Sequence, residues 1–514
     1  MPVTRRRSLS GLLSFISFLF AQVYFSKVNF TKVALSIIIC KQIAAAEGSP
    51  MFIGREHELN TLKRLYESDG FQFPVVYGRR RVGKTTLISK FASEKPTIFF
   101  TAIENDRQIN LRNLSNAIAQ FEHPDRDPKL AAVYADFQQA FEVIFALAQE
   151  ERIVFVIDEF PYLAKADSSV SSILQSLIDS NHDSSKLFLV LCGSSLSFMK
   201  EQVLGEKSPL YGRRTAQIEL KPFDFFDSMR FFPDYDPFDA AAIYGMVGGI
   251  PLYLCQFQGG GSLQELTEHT LLDPNSILYE EPGNLLMQEV TKASRYNAVI
   301  DAIAGGRTQS NEIASAVGIS SAEVTYYLKE LERIGLVIRE KPLLGRERRP
   351  LYRLSDNLFR FWFRFVLPYT SSIERNMPGR AWNAIKNALS EYMGPVFEDI
   401  CKQWLWRQAD KGAISEEFDV LGRWWGNDPR LKQEAEIDIV GATGHEVVLT
   451  AECKWRNEAF PASELEKLRQ RTNLIGKADD AQLYAFSKTG FSDACVELAS
   501  QNGNTHLVNF TEMM

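Results

Sequence analysis

Cysteine is scarce and scattered in this chain of 514 residues. The six thiols, at positions 40, 192, 255, 401, 453 and 495, include no Cys-x-x-Cys pair. That spacing indicates neither a thiolate zinc site nor a disulfide framework, and it fits a reducing compartment. Basic excess is missing too: 57 Lys and Arg stand against 64 Asp and Glu, a net charge of -7. A protein coated in positive surface is excluded, so any nucleic-acid contact must be a local patch. Nor does any apolar run reach the roughly 20 residues of a spanning helix. The longest candidates lie at 12–20 and 33–40, behind Arg5, Arg6 and Arg7, and Lys27, Lys32 and Lys41 interrupt the apolar character. Alanines at 44–46 imitate a signal-peptidase site. We read residues 1–50 as an over-extended start, with a membrane-associating leader as the alternative. A membrane partner is expected only if that leader is real. The rest has an ordinary globular composition, 45% apolar and 24% charged, on a length that suggests several domains.

What is present is more specific. Residues 78–85 read Gly-Arg-Arg-Arg-Val-Gly-Lys-Thr, after an apolar β-prone run (73–77) and before a helix-like one (86–92). This is the strand, glycine loop and helix of a Walker A phosphate-binding loop. Its glycines let backbone N–H groups turn inward onto phosphate oxygens, and the helix N-terminus adds partial positive charge. The expected nucleotide-binding positions are Gly78, Arg79, Arg80, Arg81, Val82, Gly83, Lys84, Thr85 and Thr86. Lys84 would reach the β- and γ-phosphates, and Thr85 would hold Mg²⁺. ATP and Mg²⁺ are therefore the expected cofactors, and the cytoplasm the expected location.

Its partner follows. Residues 153–159 read Ile-Val-Phe-Val-Ile-Asp-Glu, a buried parallel strand ending in two acids. At that strand's C-terminal end Asp158 would order Mg²⁺ and Glu159 would polarise the attacking water. A third strand, 187–191, leads into Ser194 and Ser195, candidates for sensing the γ-phosphate. Arg213 and Arg214 are candidates for stabilising transition-state charge across a subunit or domain boundary. The turn at 53–55 can approach the adenine, and the Gly-Gly-Ile-Pro loop at 248–251 can close over the nucleotide.

The pattern predicts an α/β fold: a P-loop NTPase core over 51–221, then a helical lid over 222–290. Residues 111–149 have a helical pattern. Over 295–356 a helix, a helix ending at Gly318, and a helix capped by Ser320 precede two strands, the pattern of a winged helix-turn-helix. Its basic tip carries Lys341, Arg346, Arg348 and Arg349, suited to phosphate contacts with DNA. The recognition helix mixes Lys329 and Arg333 with Glu323, Glu330 and Glu332, so a purely protein-binding winged helix stays open. In the last unit, 357–514, arginines alternate with aromatics at 359–365, which reads as a core helix with a charged outer face or as a base-stacking surface.

That unit holds a second candidate site. Asp438 ends one strand-like run, and Glu452 and Lys454 share a face of another. A hairpin would bring Asp438 beside them. Asp438 and Glu452 would hold a hard cation, Lys454 would orient the water, and Glu398 would complete the set from a helix. The pattern resembles the PD-(D/E)XK nuclease superfamily, although Ile437 stands where the leading proline is usual. That resemblance implies a restriction-endonuclease-like α/β domain.

The order of parts resembles the archaeal-type P-loop ATPases of the AAA+/STAND radiation. The Phe-x-Gly-Arg-Glu turn matches at 52–56, the arginine-rich Walker A at 78–85, Ile-Asp-Glu at 157–159, Gly-Ser-Ser at 193–195 and Gly-Gly-x-Pro at 248–251. The resemblance implies ATP binding and hydrolysis. Two functions remain: an ATPase acting on DNA through its C-terminal half, or an ATP-gated regulator with an inactive nuclease-like domain. Self-association or a protein partner is compatible with both.

Overall fold

The computed structural model describes residues 52–290, 292–344, 350–476, 478 and 480–514. The reading of residues 1–50 therefore lies outside the described residues, as do Arg346, Arg348 and Arg349 of the wing. Among the described residues no helix is long and apolar enough to cross a membrane.

The first sheet has five parallel strands: β1 (Pro74–Gly78), β2 (Thr97–Thr101), β3 (Val154–Asp158), β4 (Phe188–Gly193) and β5 (Ala216–Leu220). Their spatial order is β2-β3-β4-β1-β5. Helices cover both faces, so β1, β3 and β4 are buried along their whole length, and their sequences run apolar without alternation. β1 and β3 both pair with β4. The phosphate loop after β1 and the acids ending β3 thus lie at one edge, where open α/β sheets bind ligands. The helical pattern over 111–149 is two helices, Arg107–Glu122 and Phe137–Glu150. Pro124 and Pro128 fall between them, where a continuous helix would lack backbone donors. Asp106 and Asp136 cap the two N-termini.

Helices Ala293–Ala304, Ser310–Val317 and Ser321–Arg333 then precede a two-stranded hairpin, β6 (Val337–Glu340) and β7 (Leu351–Leu354). Gly318 adopts the left-handed conformation (φ 70°) that ends the second helix. Ser320 and Glu323 form a reciprocal capping box that starts the third.

The last sheet follows a 32-residue helix, Gly379–Asp410. β8 (Val420–Asp428), β9 (Gln433–Thr443) and β10 (Glu446–Lys454) form an antiparallel meander. Helix Ala462–Ile475 leads to β11 (Gln482–Ser487), parallel to β10, and helix Asp493–Gln501 leads to β12 (Thr505–Asn509). The lid helices between 225 and 289 share one apolar core with the long helix and this sheet. Phe238 meets Phe510 at 5.3 Å, and Phe397 meets Trp455 at 5.1 Å. The aromatics at 359–365 belong to the interior: Phe359, Phe361, Phe363 and Phe365 are buried. Arg360 lies over Tyr392 and Arg364 pairs with Glu391, so the core-helix reading holds and no base-stacking row is formed.

Candidate functional site

Gly78 can only be glycine, because a Cβ there would stand 2.3 Å from the Leu220 carbonyl oxygen. The loop then passes Arg79, Arg80 and Arg81, buries Val82, and turns at Gly83 (φ 92°) into helix Lys84–Ala92. Pro251 of the Gly-Gly-Ile-Pro loop approaches Gly83, within 4.0 Å of where a Cβ would be. Arg55 braces the loop from outside, donating to the Val82 and Lys221 carbonyls with its guanidinium 4.3 Å above the Phe223 ring.

Lys84 is 6% exposed, and its ammonium donates to the Gly78 and Arg79 carbonyls at 3.0 and 2.9 Å. Burial pulls its pKa below the ordinary lysine value. Thr85 Oγ1 donates to Asp158 Oδ2 at 2.8 Å. A hydroxyl beside a carboxylate supplies two hard oxygen ligands of the kind Mg²⁺ takes. Thr86 is exposed one residue on. Glu159 has a left-handed backbone (φ 54°), and its carboxylate accepts from Ser194 Oγ at 2.7 Å and from the Ser194 amide at 3.3 Å. Of the two serines proposed as sensors, Ser194 thus reaches the acid. Arg79 Nη2 and Arg80 Nε are shielded from water and have no acceptor among the described residues. Loop N–H groups, a lysine, spare guanidinium donors and a hydroxyl–carboxylate pair together fit a nucleotide phosphate with a hard cation.

The three loop arginines diverge. Arg79 Nη1 meets Asp356 at 2.6 Å, just beyond the winged helix. Arg81 pairs with Glu281, 2% exposed, which also accepts from Tyr253 Oη at 2.6 Å. Arg80 Nη2 donates to Tyr162 Oη at 2.7 Å. None of these partners was legible in the sequence, because each lies far along the chain and none belongs to a motif.

In the C-terminal sheet, Glu452 and Lys454 form an ion pair on one face of β10. Asp438 on β9 accepts from the Cys453 amide at 2.9 Å. Arg471 Nη1 lies 3.5 Å from Glu452, and Arg423 Nε lies 3.7 Å from Glu398. Burial pushes Glu398 and Glu452 up to about 7, and the nearby Asp438 charge pushes both the same way. The sheet therefore gathers Glu398, Asp438, Glu452 and Lys454 into one electrostatic cluster. No group of three or more His, Cys, Asp or Glu side chains among the described residues is placed to hold a metal ion.

Residues 52–257 match a family described as an ATPase domain predominantly from Archaea, and residues 302–338 match a winged helix-turn-helix DNA-binding family. Residues 362–470 match a family described as archaeal and bacterial proteins of unknown function. An uncharacterised protein of Methanocaldococcus jannaschii is 30% identical over 442 residues, which cover 85% of this chain and 95% of that relative. The chain belongs to this family of archaeal ATPase-domain proteins. An uncharacterised ATP-binding protein of the same organism is 46% identical over 48 residues, 9% of this chain and 81% of that relative. Among solved structures, a Walker-type ATPase of Pyrococcus abyssi aligns with 61% of this chain and 96% of its own, at 21% identity and a TM-score of 0.48.

Two expected features, the arginine pair and the wing, make contacts that the sequence did not show. Arg213 grips both carboxylate oxygens of Asp179, at 2.6 and 2.7 Å, and Arg214 donates to the Leu204 carbonyl at 3.1 Å. The base of the wing lies on the C-terminal domain: the Leu343 amide donates to the Arg423 carbonyl of β8 at 2.8 Å.

Proposed function

We propose that the chain is a Mg²⁺-dependent ATPase whose nucleotide state governs a C-terminal half that acts on DNA. The observation that carries this reading is the 2.8 Å bond from Thr85 to Asp158 beside the buried Lys84. The loop amides of residues 78–86 cradle the phosphates. Lys84 exchanges its two carbonyl partners for β- and γ-phosphate oxygens. Thr85 and Asp158 order the metal, which supplies charge neutralisation on the phosphates when bound. Glu159 polarises the water. Lys84→Ala is expected to abolish nucleotide binding, while Glu159→Gln keeps binding and stops turnover. Isothermal titration finding wild-type ATP affinity in Lys84→Ala would sink the site assignment.

We take 51–221 as the ATPase core, 222–290 as its lid, 295–356 as the winged helix and 357–514 as a PD-(D/E)XK nuclease-like domain. The last assignment rests on the order helix, three-stranded meander, helix, parallel strand, with Glu398 on the first helix and the other polar groups on β9 and β10. A specific observation favours a second reading, the ATP-gated regulator: Lys454 and Arg471 already neutralise Glu452, and Arg423 faces Glu398. Plasmid nicking with Mg²⁺ or Mn²⁺ that disappears in Lys454→Ala supports the nuclease. ATP turnover with no cleavage under any condition supports the regulator.

A further inference from the structure

The arginine pair expected to supply transition-state charge is occupied: Arg213 by Asp179, Arg214 by a backbone carbonyl. Yet an arginine facing the transferred phosphoryl group is worth roughly 10³–10⁵ in rate. The phosphate loop itself offers one. Arg79 and Arg81 are committed to Asp356 and Glu281, whereas Arg80 makes no ion pair among the described residues. Its one hydrogen-bond partner there is the neutral phenol of Tyr162, at 2.7 Å, and its Nε is shielded from water with no acceptor. Tyr162 is fixed to the acidic turn, because its amide donates to the Glu159 carbonyl at 3.0 Å. Arg80 also lines a small cavity with Arg79, Ser194 and Glu289, and Ser194 holds the Glu159 carboxylate. The guanidinium therefore shares a cavity with the serine that holds the Glu159 carboxylate and with Glu289, whose carboxyl it draws toward the charged form, and its Nε is a donor in reserve.

We propose that Arg80 is the cation that stabilises the transferred phosphoryl group, supplied in cis by the phosphate loop and aimed by Tyr162. The inference rests on the ATPase reading above. In the step it serves, the water oxygen bonds to the γ-phosphorus as the bond to the bridging oxygen breaks. That oxygen keeps the electron pair on ADP, and the water proton passes to Glu159. Charge spreads over the three equatorial oxygens, where a planar fork of N–H donors acts on the transition state more than on bound ATP.

Full-length wild type, Arg80→Ala, Arg80→Lys, Tyr162→Phe and Arg213→Ala would be compared for turnover, ATP affinity and thermal stabilisation by ADP with aluminium fluoride. Arg80→Ala should lose about 100-fold or more in kcat while ATP affinity stays within about threefold. It should keep stabilisation by ADP and lose the extra stabilisation by the fluoride complex, and free guanidinium should restore part of the rate. Tyr162→Phe, which touches only the aim, should lower kcat without moving KM. Arg213→Ala should match wild type, and turnover per chain should not depend on protein concentration. If Arg80→Ala does not fold, Arg80→Lys carries the test, since it keeps the charge but loses the fork. Turnover in Arg80→Ala within about twofold of wild type would overturn the proposal, as would a rate that collapses in Arg213→Ala and climbs with protein concentration. A wild type that binds ATP and never hydrolyses it would remove the ATPase reading itself, and this proposal with it.

Discussion

Ser194 holds Glu159 by a charge-assisted hydrogen bond to a group 35 positions upstream. A bond of this kind is worth about 1.5–3 kcal/mol. Among the described residues Ser194 is the only hydrogen-bond partner of that carboxylate. Ser194→Ala should therefore lower kcat about tenfold with ATP affinity unchanged, since about 1.4 kcal/mol of misplacement is enough for that factor. Steady-state turnover beside a nucleotide titration checks it; an unchanged kcat would mean that the serine only fills space. The same scale yields a pH prediction in the second cluster. Glu398 and Glu452 hold protons up to about pH 7. If this cluster holds a cation, that cation must displace those protons, so Mn²⁺ affinity there should climb from about pH 6 to about pH 8 and then level off. A flat affinity across that window would remove these carboxylates from any metal site. Residues such as Gly78, Lys84, Thr85 and Asp158 were legible because each motif is contiguous and its spacing is the chemistry. Asp356, 277 positions from its arginine, carries no such mark.

At the scale of elements, hydrophobic period and caps found three of the five core strands, β1, β3 and β4, and the three helices of the winged motif, and missed β2 and β5. Ser320 with Glu323 marks a helix start in four residues. What these rules miss is where an element docks. Residues 341–349 read as a free basic tip, yet Leu343 bonds to β8 and packs with Leu344 against Trp424 and its neighbours. A leucine within a basic run gives no warning of this, because the surface it covers is built some 80 residues later. The lid and the last sheet were likewise read as separate units, while their aromatic residues form one core. Leu343→Asp should detach this part of the wing and cost about 1–3 kcal/mol, since it buries an unpaired charge or forgoes apolar burial. Hydrogen exchange should then accelerate at the residue 343 amide, which donates to the Arg423 carbonyl. Protection of that amide equal to wild type would show that the wing stays docked on that edge.

For the whole molecule, the phosphate loop is tied to both sides of the winged helix. Arg81 binds Glu281, on the helix that leads into it, and Arg79 binds Asp356, which opens the helix that leaves it. A Cβ at Gly335, at the turn into β6, would stand 4.0 Å from the Arg79 side chain. Asp356 does two jobs with two oxygens: Oδ2 accepts from Arg79 at 2.6 Å, and Oδ1 caps its helix through the Phe359 amide at 2.9 Å. Asn keeps the cap and removes the charge, so Asp356→Asn isolates the ion pair. Breaking a buried pair by deleting one partner costs about 3–5 kcal/mol, because the other charge is left uncompensated. Arg79 then sits buried beside the loop with its bonded counter-charge gone, and the anions left near it are Glu281, Glu289 and, when ATP is bound, its phosphates. The variant should melt several degrees below wild type, yet gain more from saturating ATP than wild type does, as ligand that binds the folded state alone raises stability by its own binding energy. Paired melting curves with and without ATP decide the point. An equal ATP-induced shift in both proteins would mean that Arg79 belongs to the scaffold and not to the nucleotide, and the loop's hold on the winged helix would then be indifferent to what the loop binds.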